Sequence, residues 1–177
     1  MRWSRKKPPE ASPDEQASAS EQSRDQDSAR EPMGAVGPRW AGRGLRLPAP
    51  PDAAHAPELA AWFVDGVQKL WEIRLDYSVE SLEWVDSKLG SFSSEGSDVV
   101  AETIFAAGCY VGEVLVRQHA YSWTDFDEKV SGMFGFPVGV VGPDGNHSNP
   151  IGKAFKRVNN GPLDDLRYFV HMVTSQS

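Results

Sequence analysis

The sequence predicts an α+β fold: about five helices around a buried central helix, with a small antiparallel sheet, behind a disordered N-terminal tail. Three observations predict it. The stretch from Asp98 to His119 is apolar almost all the way round at 3.6 residues per turn, so other elements must wrap it. Shorter amphipathic stretches flank it on both sides. Between them lie two runs of aromatic and β-branched residues, Trp123 to Phe126 and Phe134 to Val141, punctuated by glycine.

The tail is assigned to residues 1–56 and the folded domain to 57–177. Up to about Pro57 the chain is dominated by Ser, Pro, Ala, Gly and charge, with Val36, Leu45 and Leu47 among its few aliphatic residues. Such a segment buries too little apolar surface to offset its ordering entropy. Its acids and bases nearly cancel, so the net charge of -7 belongs to the domain. An acidic domain is a poor electrostatic match for nucleic acid or anionic lipid, and neither is expected as a partner. The basic start, Arg2 to Lys7, is followed by no apolar run, and no stretch of about 18 apolar residues occurs that would cross a bilayer. With a single cysteine, which permits no intrachain disulfide, the expected location is cytoplasmic.

The domain opens at Pro57, a residue suited to a first helical turn. Leu59, Trp62, Phe63, Val67, Leu70 and Trp71 then recur on one face, predicting a helix to Ile73 or Arg74. Ser78 is the expected cap of a second helix with Val79, Leu82, Val85 and Leu89 inward and Gly90 as its stop. Ser91 to Ser97 reads as a loop.

The central helix follows, capped by Ser97 or Asp98. Val100, Ile104, Ala107, Val111, Val114 and Leu115 make one face; Phe105, Cys109, Gly112 and Val116 cover most of the other. Gly108 and Gly112, each costing up to about 1 kcal/mol against Ala in a helix, imply that another backbone passes close by. In the second β run Phe134, Phe136, Val138 and Val140 alternate with Gly135, Pro137, Gly139 and Val141, and Pro137 is expected to confine the strand to an edge. Gly142 to Gly145 is a turn. Asn149 and Pro150 start a helix with Ile151, Phe155 and Val158 inward, closed by Asn160-Gly161. The last helix runs from Leu163 to Val173, with Asp164 and Asp165 at its start and Leu166, Phe169, Val170 and Val173 inward.

Chemistry-bearing residues are sparse. Cys109 is mid-helix with Phe105, Gly112 and Val116 as neighbours, the setting of a buried, inert thiol. His55, His119, His147 and His171 show no metal-ligand spacing, although His119 with Asp125, Asp127 or Glu128 would suffice for a weak divalent site. Asp144-Gly-Asn146 reads as a turn, and no nucleophile elbow or phosphate-binding loop occurs in context. Lys153, Lys156 and Arg157 invite an anion or RNA reading, but periodicity points Phe155 inward and the cations outward, as on an ordinary surface helix. Glu102, Glu113 and Arg117 form the charged strip of the central helix, with Glu113 and Arg117 spaced for an ion pair. The candidate functional patch is therefore Glu102, Glu113, Arg117, His119 and Trp123, with no catalytic residue, cofactor or metal assigned.

Ser81-Leu-Glu-Trp-Val-Asp86, Gly108-Cys-Tyr-Val-Gly-Glu-Val-Leu115, Trp123, Asn149-Pro-Ile-Gly-Lys153, Lys156-Arg157, Gly161, Asp165-Leu166 and Phe169 occur in succession. Over Leu59 to Val173 this resembles a group of actinobacterial proteins carrying a domain of unknown function, in which a Gly-x-Tyr-x-Gly-Glu helix precedes a Trp strand. The helix alone is similar to small bacterial immunity-type proteins. Neither resemblance carries a catalytic residue. The functional expectation is a non-enzymatic module that binds another protein. The alternatives are a metal-dependent hydrolase using Glu113, His119 and the acids at 125–128, and anion or RNA binding through Lys153, Lys156 and Arg157.

Overall fold

In the computed structural model, residues 44–175 are described. The expected tail lies outside the described residues as far as residue 43. Its remainder packs on the domain: Ala49 is buried, and Leu45 and Leu47 lie against the core. The Ala53 N–H donates to Asp125 Oδ1 at 2.9 Å. These few apolar residues suffice because the backbone between them finds hydrogen-bond acceptors on the domain.

Helix α1 spans Ala56–Trp71, with Pro57 in its first turn. Asp52 prepares that turn by accepting from the His55 N–H and ring Nδ1 at 3.0 and 2.7 Å. Ala56, Leu59, Ala60, Phe63 and Val67 are buried. The predicted stripe was too broad: Trp62, Leu70 and Trp71 are 42 %, 72 % and 39 % exposed. The helix ends at Glu72, whose left-handed backbone (φ 59°) returns its N–H to the Gln68 carbonyl.

Helix α2, Leu82–Ser91, starts one turn after the expected cap. Ser78 instead holds the preceding turn, its Oγ accepting from the Ser81 N–H at 3.1 Å. Leu82, Val85 and Leu89 are buried as the pattern predicts.

Helix α3, Ala101–His119, is the axis of the domain, and every residue from Ile104 to Leu115 is buried. Its first turn follows Val100 with no side-chain cap, so neither Ser97 nor Asp98 plays the expected role. Helix α1 and a later helix, α5 (Pro150–Asn160), pack along its flanks. At Gly108 the backbone of Ile151 in α5 comes so near that an added Cβ would stand 2.5 Å from Ile151 Cα. At Gly112 the space is taken by the Trp123 ring and Pro150. Both glycines are therefore where close approach demands them.

The sheet has three antiparallel strands in the order β1 (Ser122–Asp125), β2 (Val138–Val141), β3 (His147–Ser148). Trp123 faces Val140, and Val140 faces Ser148 across the ladders. Two expectations are corrected here. The run 134–141 is a strand only from Val138, because Asp127 caps a short helix, α4 (Glu128–Phe134), through the Val130 N–H at 2.8 Å, and Gly135 ends it in a left-handed turn. This makes six helices among the described residues. And β2 is the central strand: Pro137 stands just before the ladder, where no donor is missed, while its carbonyl accepts from the Phe126 N–H at 2.7 Å.

Asn149 caps α5 through the Gly152 N–H at 2.7 Å, as its sequence predicts. A 3-10 turn, Gly161–Asp164, separates it from α6, Leu166–Thr174. Asp165 caps α6 through the Tyr168 N–H at 2.6 Å, so this helix begins later than the sequence suggests. Leu166 and Val170 are buried, with Phe169 and Val173 packed beside them.

Candidate functional site

Tyr110, Glu113 and Arg117 lie at i, i+3 and i+7 along one line of α3, and they carry a connected polar network out of the core. Tyr110 is wholly buried, so its hydroxyl must find partners. It accepts from the Tyr77 N–H at 2.8 Å and shares a 2.6 Å hydrogen bond with Ser81 Oγ. The Ser81 hydroxyl donates to the Ser78 carbonyl at 2.6 Å, leaving Tyr110 as the donor in the shared bond. Burial raises the Tyr110 phenol above its ordinary value, opposed by the hydrogen bond it accepts from the Tyr77 N–H.

Tyr77 has a left-handed backbone, φ 61°. For a residue with a Cβ this costs about 1–3 kcal/mol and persists only where surroundings over-determine it. Its ring stacks on Tyr110 with centroids 4.8 Å apart, and the Arg117 guanidinium lies over its other face, 3.6 Å from the centroid.

Glu113 is the hinge of the arrangement. Its carboxylate is 4 % exposed, yet both oxygens are matched: Oε2 accepts from Arg117 Nε at 2.7 Å and Oε1 from the Trp123 indole Nε1 at 2.9 Å. A buried carboxylate is tolerated only with such partners. The predicted Glu113–Arg117 pair is thus present, and Trp123 joins it from β1.

The remaining predicted residues lie elsewhere. Glu102 accepts from the Arg46 N–H at 3.2 Å, well up the helix from Glu113. His119, in the last turn, keeps Nε2 buried and without a hydrogen-bond partner among the described residues. Of the acids that the hydrolase alternative names, Asp125 accepts from the Ala53 N–H and Asp127 caps α4. Among the described residues no group of three His, Cys, Asp or Glu is disposed to hold a metal ion. Cys109 is fully buried, and burial, with Glu113 nearby, raises its thiol far above the ordinary range.

The cationic group on α5 is also dispersed, correcting the expectation that all three cations point outward. Arg157 is buried and bonds Asp86 Oδ1 at 2.8 Å through Nε, while the same oxygen accepts from the Leu166 N–H at 3.0 Å. Lys153 pairs with Asp164 at 2.7 Å. Lys156 is exposed. Arg157 is drawn in by an acid on α2, a long-range partner that helical periodicity does not reveal.

A second feature is apolar. The rings of Trp71 and Trp84 meet with centroids 5.7 Å apart, and the Lys88 ammonium lies 4.3 Å from the Trp71 ring and 5.1 Å from that of Phe92. This aromatic strip joins the end of α1 to α2 and its C-cap, with Trp84 and Phe92 half-buried against the core. Leu70 stands beside Trp71 in sequence and is among the most exposed apolar residues.

No protein-family model, curated protein or solved structure matches the chain. Among the described residues no helix is long and apolar enough to cross a membrane. Tyr77, Ser81 and Tyr110 are the network members that sequence reasoning missed. A tyrosine within an otherwise apolar helix was the available signal, since a buried phenol implies a partner; nothing in the sequence marks Tyr77 as left-handed.

Proposed function

We propose that this chain is a non-enzymatic, cytoplasmic protein-interaction module, belonging with the actinobacterial group that its motifs resemble. The aromatic strip carries the reading. Two tryptophans and a phenylalanine with a lysine between them form a partly exposed surface on an acidic domain, and Trp and Tyr are the residues that dominate binding at protein interfaces. Lys88 gives the strip a polar tether without removing its apolar area. The net charge of -7 favours a protein partner over nucleic acid. The lone cysteine suits a reducing compartment.

The test is paired affinity capture with the wild-type chain and a Trp71→Ser/Trp84→Ser variant of matched helicity. The reading predicts a stoichiometric protein partner held by the first and lost by the second. Recovery of the chain alone, or equal capture by both, would overturn it.

A further inference from the structure

The geometry points to Arg117 as a pre-organised binding site for a single oxyanion, a carboxylate or a phosphate group. An arginine side chain normally loses rotamer freedom when it captures a ligand, but this one is already fixed at two points. Its Nε is held by the buried Glu113 carboxylate, which the Trp123 indole holds in turn, and its plane rests on the Tyr77 ring. The guanidinium has five N–H donors, one of which Glu113 takes. The terminal amino groups have no hydrogen-bond partner among the described residues, and the side chain is 47 % exposed. What is left outward is the planar fork that pairs bidentately with an oxyanion.

Two further observations separate this from an ordinary surface ion pair. Glu113 is nearly enclosed, so the chain bears the desolvation of a carboxylate whose two oxygens accept from Arg117 and Trp123. Tyr77, which supplies the stacking face, is held in a left-handed conformation and fastened by the Tyr110 hydroxyl. Strain and enclosure both converge on the placement of one guanidinium, and fixing that group in advance is what lowers the entropic cost of binding.

The surroundings also limit the ligand. Burial raises the Tyr77 phenol against the opposing Arg117 charge, with Glu113 and Asp65 adding to the rise, and Glu113 offsets part of the Arg117 charge. A polyanion would meet more repulsion here than one compact oxyanion.

The test titrates the full chain, at constant ionic strength, with sodium acetate and separately with inorganic phosphate. The Arg117 Nε–H and Trp123 indole N–H resonances are followed by two-dimensional NMR. A saturable shift of both, with the other indoles unmoved, is expected from at least one probe, and the tighter probe identifies the chemical source. Arg117→Lys keeps the charge but not the fork or the stack, and should weaken binding about tenfold or more. Lys156→Gln, which removes an exposed cation elsewhere, should leave it unchanged. Shifts that fail to saturate with either probe, or a Trp123 indole shift that saturates at the same concentration in Arg117→Lys, would overturn the proposal.

Discussion

Replacing Gly108 by alanine sets two well-measured effects against each other. In a helix interior the substitution gains about 1 kcal/mol of propensity. Here the new Cβ would stand 2.5 Å from Ile151 Cα and 3.1 Å from Ile151 Cβ. Carbon atoms rest at about 3.5–4.0 Å, so α5 must retreat by about 1 Å. The obstacle is backbone and has no rotamer to escape into. Retreat loosens the packing of Ile151 and Phe155 and stretches the Arg157–Asp86 pair, which is 2.8 Å long. Overpacking of this kind costs about 1–3 kcal/mol and sometimes more. Because a whole helix must move, the upper end applies, and the net loss after the propensity gain is about 2 kcal/mol. With a urea m-value of about 2 kcal/mol per molar, the midpoint falls by about 1 M.

Gly66 is the internal control. It lies mid-way along α1 with no atom within 4 Å of an added Cβ, so Gly66→Ala should raise the midpoint by about 0.3–0.5 M. Urea unfolding followed by circular dichroism reads both. A Gly108→Ala protein as stable as wild type would refute the reasoning, because it would mean that α5 does not pass at the distance described.

Other outcomes follow from the same contacts. Tyr110→Phe leaves the Tyr77 N–H without its acceptor and should cost about 1–3 kcal/mol in urea unfolding; a loss below 0.5 kcal/mol, about the noise of such measurements, would show the bond to be idle. The Tyr110 phenol is raised above its ordinary value of about 10. The stability this contributes is fully present below that pH and is lost as pH rises through the higher folded-state value. Alkaline unfolding and phenolate absorbance should therefore rise together in wild type, and Tyr110→Phe should flatten that pH dependence. Breaking the interior pair by Arg157→Met strands Asp86 and should cost about 3–5 kcal/mol, whereas adding Asp86→Asn should recover part of it; no recovery in the double variant would contradict the pairing.

The helical frame was legible because its signals are local. The apolar circumference of α3 predicted its enclosure, Gly108 and Gly112 predicted a close neighbour, and Asn149-Pro150 fixed the start of α5. What escaped was set by contacts distant in sequence. Leu70 and Trp71 match the helical period of the buried residues but lie beyond Val67, the last of them, and Trp62 stands at the edge of the buried stripe, so periodicity could not separate core from exposed surface. Arg157 looked outward until α2 supplied Asp86. Helix α4 was hidden because glycine and aromatic residues at 134–136 continued the alternation of β2, while the Asp127 cap that decides the matter is a single side chain. In the site, the Glu113–Arg117 spacing was readable; its stacking on Tyr77 depends on a backbone conformation with no sequence signature.

Thiol accessibility tests the whole arrangement most directly, since the chain has one cysteine and it sits midway along α3. With Cys109 wholly buried, an aromatic disulfide reagent should find no reactive sulfur in the native protein and one equivalent per chain after denaturation. Prompt stoichiometric labelling under native conditions would mean that α3 is open to solvent, and the packing, the polar network and the fixed arginine would fall with it.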